Sequence, residues 1–453
     1  MAADRPAPPH PKKLTAAAFQ SIGKHRSHSP IGMNPTVSVD DVGYSSLRKF
    51  SAQCPLRLAY FVSHPIQYQA PLLRRIAKEE DLRLKVFFHS DISMRAYLDP
   101  GFGVQVKWDV PLLKGYEYEF LPVLINGKQL RPWKPLNYGI ASILRKQGFH
   151  AVWIHGYDRL TNLQVVRAAK SLRIPVLLRS DSHLGDRNRS RRTLLAKKLF
   201  FAWLRNKVSA TLSVGDANTE YWRHYFGAQF PVFPAYYSVD NDFFQKECAN
   251  AAETREEFRR SLGLDAGRPI ILYASKLQTR KRCIDLLDAY LQVEKSSPPG
   301  RVPYLLIVGD GEERAALNSR ASQAAPGNVR FLGFRNQTEM PRFYDLCNVF
   351  VLVSVHEPWG LVVNEVMNAA RPVIVSDQVG CHKNLVQNGV NGYVVKAYDT
   401  QALADSLRAV LFSPTTWQTM GANSLKMIRS YSFDENVAGL RQALQSMVPG
   451  FQA

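Results

Sequence analysis

The sequence predicts an α/β fold: two facing Rossmann-like domains with parallel sheets. Three observations predict it. Short, continuous apolar runs recur along the chain with helical stretches between most of them, which is the pattern of parallel strands covered on both faces. The runs fall into two sets separated by a stretch without strand character. Polar or glycine-punctuated turns follow them, and in open parallel sheets the ligand binds beyond the carboxyl ends of the strands.

The first set of candidate strands is Arg57–Ser63, Leu84–His89, Ala151–Gly156, Pro175–Ser180, Ala210–Gly215 and Pro231–Ala235. The second is Ile270–Ser275, Tyr304–Asp310, Val329–Gly333, Val349–Ser354, Pro372–Asp377 and Gly392–Val395. The boundary between them is expected in Tyr236–Thr254, with a polar, acidic helix beginning near Thr254. Residues 1–55 are rich in Pro, Ser, Ala and basic side chains and read as a disordered leader. The expected organisation is residues 56–240 as a first domain and 241–433 as a second. A last helical stretch, residues 434–453, is expected to pack back toward the first domain.

The 453 residues carry 45% hydrophobic side chains, enough for ordinary cores, and a formal net charge of +20. That charge narrows the partners to nucleic acid, an anionic membrane surface or phosphorylated substrates. No nucleic-acid-binding motif accompanies it, so nucleic acid is not expected as a partner. No apolar run reaches the roughly 18 to 20 residues of a membrane span, and the first 50 residues hold no signal-type apolar region. Five scattered cysteines without a C-x-x-C pair fit a reducing compartment. The expected location is cytoplasmic, peripheral on the inner face of the membrane.

The most informative stretch is EPWGLVVNE, which places Glu357 and Glu365 eight residues apart across Pro358, Trp359 and Gly360. Two Glu at such spacing are common in solvated helices. Here a buried strand precedes them and a helix, Leu361–Ala370, is expected to follow, so one carboxylate sits at a strand end and the other inside the helix. The free N–H groups at such a helix start suit a phosphate.

KLQTRKR supplies Lys276, Arg280, Lys281 and Arg282 at another strand end, where cations stabilise a departing diphosphate. GDGEER, with Gly309 and Gly311, is either a tight turn or a close contact with ligand. VRFLGFR places Phe334 and Arg335 where a base could lie. SDQVGCHKN offers Gly380, His382 and Lys383.

In the first half, SHPIQYQAP (His64, Gln67, Tyr68, Gln69), WIHGYDR (His155) and RSDSH (Arg179, Asp181, His183) each follow a strand. A lone His is most often structural, but three at strand ends of one cleft are acceptor-site candidates. No metal-ligand spacing appears, and no protein-held metal is expected. Arg187–Lys207 holds eight Lys or Arg and no acid, with Leu195, Leu199, Ala202 and Trp203 at helical spacing. Such a helix suits an anionic membrane surface or is a core helix with a solvated basic face.

The ordered string ASKLQTRKR, LLIVGDGEER, VRFLGF, EPWGLVVNE, RPVIVSD and GVNGYVV resembles retaining glycosyltransferases of family 4 (glycosyl transferases group 1) with the GT-B fold, from about Leu56 to the C-terminus. The resemblance implies a nucleotide-sugar donor, held mainly by the second domain, and an acceptor held mainly by the first. No cofactor beyond that donor substrate is implied.

By position, Glu365 would bind the ribose hydroxyls. Glu357 and the backbone of Trp359, Gly360 and Leu361 would hold the donor sugar and phosphates, and Lys281 would meet the diphosphate. Lys276 stands where many members have Arg, a point charge in place of a planar fork. Gly309, Gly311, Phe334, Arg335 and Gly380 complete the implied donor site, with His155 opposite. The implied activity is transfer by a hexosyltransferase-type enzyme, with retention, to a glycan or lipid-linked acceptor. Cell-surface polysaccharide or glycolipid synthesis would be its setting. A nucleotide-sugar epimerase of the same architecture is the alternative.

Overall fold

The structure, a computed structural model, describes residues 49–452 apart from 100, 128 and 186–189. The expected leader therefore lies outside the described residues up to residue 48, as do Arg187 and Arg189 of the basic segment. Ordered chain begins before residue 56. Phe50 packs edge-on against His150 and Phe451, with ring centroids 5.0 and 6.0 Å away.

Two parallel sheets organise the chain. The first has seven strands in the spatial order Val232–Pro234, Ala210–Ser213, Val176–Ser180, Ala151–His155, Leu56–Val62, Leu82–Phe88 and Glu117–Phe120. The second has six, in the order Val329–Gly333, Tyr304–Val308, Ile270–Ala274, Val349–Leu352, Val373–Ser376 and Gly392–Val395. All twelve candidate strands are present, most one or two residues shorter than their apolar runs. The strands end where the chain lifts off into the loops that carry the polar groups. Each sheet packs apolar side chains on both faces, so alternate residues of one strand enter different cores. Ile270 and Leu272 face one cluster, and Ile271 and Tyr273 face the other.

Three parts differ from expectation. Glu117–Phe120 adds an edge strand to the first sheet, beside Leu82–Phe88. The acidic helix expected near Thr254 is present as Arg255–Ser261, but another helix, Asn241–Glu253, precedes it in the stretch expected to be the boundary. Asp240 caps that preceding helix by accepting the Phe243 N–H at 3.0 Å. The helix after Gly360 spans only Leu361–Met367, because the chain then turns through Ala370 at φ +53°.

The last helix, Phe433–Met447, lies on the first sheet. Its Val437, Leu440, Ala443 and Leu444 join the cluster containing Leu212 and Ala235. The chain thus crosses between the domains twice, at about residues 235–241 and 428–433.

Both sheets have a point where the strand order reverses. In the first it lies between Leu56–Val62 and Ala151–His155, and in the second between Ile270–Ala274 and Val349–Leu352. Such points open a crevice at the strand carboxyl ends.

Candidate functional site

The second sheet's crevice holds the densest charge. From one side comes the short 3-10 turn Thr279–Lys281, and from the other the segment His356–Gly360. Lys281 and Glu357 form an ion pair between side chains only 8% and 15% exposed. Arg280 donates to the His356 carbonyl at 2.9 Å, and its own carbonyl accepts the Val355 N–H. Burial lowers the Lys281 pKa, Glu357 works against that, and the like charges of Arg280 and Lys276 push it down further. An anion placed among these three cations would relieve that repulsion.

One helical turn beyond Gly360, Glu365 accepts a hydrogen bond from the Tyr344 hydroxyl. Burial raises the Glu365 carboxyl to about 7, although the Tyr344 bond opposes the shift. Gly360 sits at φ +97°, a conformation that lets the chain leave the strand-end loop and enter the helix.

The predicted glycines meet protein backbone at close range. A Cβ on Gly309, Gly311 or Gly380 would lie 2.0, 2.4 or 1.9 Å from the carbonyl oxygens of Ser275, Leu277 and Pro358. Their missing side chains let loops of the protein meet, which is a structural reason sufficient in itself. Gly309 still borders a cavity of about 120 Å³ lined by Ser275, Phe334, Arg335 and Tyr344, among others. Arg335 pairs with Glu339 at 3.2 Å.

Trp359 is expected to act through its backbone. Its side chain turns away from the crevice into the domain boundary, 6.0 Å from Tyr237 centroid to centroid. Its Nε1 donates to Asn364, whose amide donates to the Tyr237 carbonyl. A Cβ on Gly215 would lie 2.2 Å from the indole, so the first domain is cut to fit it. Only the Trp359 backbone faces the loops, its carbonyl accepting the Cys381 N–H at 3.0 Å. Lys383 pairs with Glu220, and Asn384 accepts the Asp216 N–H, so both are domain-to-domain contacts.

Opposite, the first sheet's crevice gathers His64, His155 and Gln69. The Gln69 amide nitrogen lies 3.4 Å from His155 Nε2, and its oxygen accepts from Tyr60. Burial, Arg179 and His64 lower the His155 pKa to about 3, and burial and Arg159 lower His64 to about 4. Both rings are neutral at pH 7. They serve as hydrogen-bonding groups and are too weakly basic to take a proton. Arg179 is not a cleft residue. It is buried in its strand, donates to the Ala235 carbonyl at 2.7 Å and stacks on Tyr237. His183 lies apart, in a pocket of about 180 Å³ with Glu220, Gly380 and His382.

The helix Arg191–Arg205 buries Phe201 and Leu204 and leaves Leu194, Leu195 and Leu199 exposed by 45%, 61% and 65%. The residues that sequence reasoning missed are Tyr344, Asn364 and a hairpin of the first domain, Tyr97–Asp99 with Val104–Val106. From it Asp99 pairs with Lys276 at 2.7 Å, and Asn336 donates back to the Lys107 carbonyl.

Two Rossmann-like domains facing each other, with cations and carboxylates gathered at the strand ends of the second, define the GT-B architecture. Residues 254–427 match the family model of glycosyl transferases group 1. Curated relatives include an alpha-D-kanosaminyltransferase of Streptomyces kanamyceticus, 29% identical over 39% of this chain and 45% of its own length. A D-inositol 3-phosphate glycosyltransferase of Nocardia farcinica is 27% identical over 42% of this chain and 43% of its length. The chain thus spans under half the length of these curated relatives. The fold likeness is broader. The Anabaena HepE structure with UDP and glucose superposes with a TM-score of 0.64 at 18% identity, covering 86% of this chain and all (100%) of that one. Sucrose-phosphate synthase from Thermosynechococcus elongatus gives 0.62 at 18% identity, covering 85% and 98%.

Proposed function

We propose that this protein transfers a sugar from a nucleotide-sugar donor to an acceptor hydroxyl with retention of anomeric configuration, in the synthesis of a cell-surface polysaccharide or glycolipid. The observation that carries the reading is the Lys281–Glu357 pair at the reversal point of the second sheet, with Lys276, Arg280 and Glu365 around it. The group 1 match spans these same positions.

In this reading Glu365, ionised, accepts the ribose hydroxyls. Glu357 and the backbone from Trp359 to Leu361 hold sugar and phosphates. Lys276 and Lys281 take the charge that develops on the departing diphosphate. The acceptor hydroxyl attacks the anomeric carbon from the face the diphosphate leaves. The bond to the phosphate oxygen breaks, and that oxygen takes the hydroxyl proton. Neutral His155 orients hydroxyls without becoming charged. The protein contributes position and electrostatics, with no covalent intermediate.

The test is a binding screen of nucleotide sugars followed by Glu365→Ala. The chosen donor should bind the variant at least about tenfold more weakly. Unchanged affinity would remove Glu365 from the donor site, and turnover of the donor to an epimer without acceptor would favour the epimerase alternative.

The exposed Leu194, Leu195 and Leu199 beside Arg191, Arg192 and Lys198 support a second element, contact with an anionic membrane that presents a lipid-linked acceptor. Loss of vesicle binding on Leu195→Glu with Leu199→Glu tests it.

A further inference from the structure

We infer that Phe102, a residue of the first domain, is a wall of the donor pocket in the second and governs which base that pocket accepts. The inference rests on the nucleotide-sugar reading above. Four observations carry it.

Phe102 lines the same cavity as Ala274, Ser275, Val308, Phe334 and Tyr344, all from the second domain. Its ring meets Phe334 edge to face, with centroids 4.9 Å apart and planes at 70°. Trp108 also meets Phe334, with centroids 6.4 Å apart. The Phe102 and Phe334 rings, with planes at 70°, make a corner suited to a flat ring.

The hairpin is also shaped to hold Phe102 there. One carboxylate oxygen, Asp99 Oδ1, accepts the N–H groups of Gly101 and Phe102 at 2.8 and 3.1 Å and the Lys276 ammonium at 2.7 Å. The atom that forms the turn is therefore the atom that docks it on the second domain. Lys276 lies 4.6 Å from the centre of the Phe102 ring. A Cβ on Gly101 would lie 2.7 Å from Lys276 Cδ and Nζ, so a larger residue there would push the lysine side chain aside. Further along, Asn336 donates to the Lys107 carbonyl, and Thr338 bonds Asp109 through both its hydroxyl and its N–H. Asp99, Lys107 and Asp109 thus clasp both loops that flank the cavity.

Base selectivity then depends on the two domains being together, because one wall of the pocket is carried by each. Phosphate recognition by Arg280 and Lys281 does not share that dependence on Phe102.

The experiment is calorimetric titration of the full chain, and of Phe102→Ala, Phe102→Tyr and Asp99→Ala, with a panel of nucleoside diphosphates and with inorganic pyrophosphate. Folding of each variant is checked by thermal melting. The wild type should prefer one base. Phe102→Ala should lose that preference, its affinity for the preferred nucleotide falling about ten- to a hundredfold, since one base–aromatic stack has that worth. Pyrophosphate affinity should stay within about twofold, and Phe102→Tyr should restore selectivity. Asp99→Ala, which keeps the ring and removes its anchor, should also lose the preference.

Unchanged base preference in both Phe102→Ala and Asp99→Ala would overturn the inference. So would equal loss of nucleotide and pyrophosphate in Phe102→Ala, because Phe102 would then only hold the hairpin together. A wild type that binds no nucleotide would overturn the donor-site reading itself. That outcome is separate, since the first two require a wild type that binds.

Discussion

The two walls of the cleft keep their polar groups in opposite ways. The second domain holds charges with partners: Lys281 with Glu357, Lys276 with Asp99, and a Glu365 carboxyl under the Tyr344 hydroxyl. The first domain holds neutral rings. His64 and His155 are kept uncharged by burial and by the cations Arg159 and Arg179 nearby. One wall can answer a diphosphate, and the histidines of the other offer uncharged hydrogen bonds to hydroxyls. The contrast fits a reaction whose leaving group is an anion and whose incoming group is an alcohol.

The strongest way to break this contrast is Lys281→Ala. It strands Glu357, a carboxylate only 15% exposed, without its counter-ion. A stability loss of about 3–5 kcal/mol is expected in denaturant unfolding, with transfer reduced about a hundredfold or more. Lys281→Ala with Glu357→Gln should regain much of the stability and none of the transfer. A single variant as stable as wild type would mean that the pair is solvated.

Next in size is the pH behaviour of Glu365. Its folded pKa of about 7 lies above the ordinary glutamate value of 4.5, so the folded state binds more protons between those two values. This group's contribution to stability therefore falls as pH rises from about 4.5 to about 7 and is level above that. Nucleotide affinity should run the other way, rising by at most about tenfold per pH unit up to about 7, because ribose hydroxyls donate to the ionised carboxylate. Glu365→Gln should flatten both curves, as read by melting and by calorimetry at several pH values.

His155→Asn sharpens the other wall. Loss of one neutral hydrogen bond should lower kcat/KM by about tenfold. The rate profile between pH 5 and 9 should keep its shape, since a group with a pKa of about 3 does not titrate there. A limb near pH 6 to 7 that disappears in the variant would show His155 acting as a base. The smallest stability effect is expected from Leu195→Glu with Leu199→Glu, within about 0.5 kcal/mol for exposed positions, while binding to anionic vesicles is lost.

Strands and strand-end loops were legible because a strand buried on both faces must be a continuous apolar run, and twelve such runs are hard to miss. Glu117–Phe120 was not, because as an edge strand reading EYEF it buries little and mixes charge with aromatics. Among site residues, Lys281 and Glu357 were readable from strand-end position, and Glu365 from its place in the following helix. For Trp359 the sequence assigns a role only to the backbone. Sequence places it at a strand end, but only packing against Gly215 and Tyr237 turns its ring into the domain boundary. The Asp99–Lys276 contact joins residues 177 apart in the chain, and no local pattern signals it. Phe102 lay hidden for the same reason, in a short hairpin of ordinary composition.

The double crossing of the chain limits how the cleft can open. Two covalent strands between the domains define a line, and a swing about that line costs least, whereas a twist across it stretches one crossing against the other. The Gly215–Trp359 contact lies on the side of the sheets that carries Ala210–Ser213 and Val349–Leu352. Residues 97–109 reach the loops beyond Ile270–Ala274 and Val329–Gly333. The Gly215–Trp359 contact and the Asp99–Lys276 contact are two separate places where the domains touch, and both must part for the cleft to swing wide open.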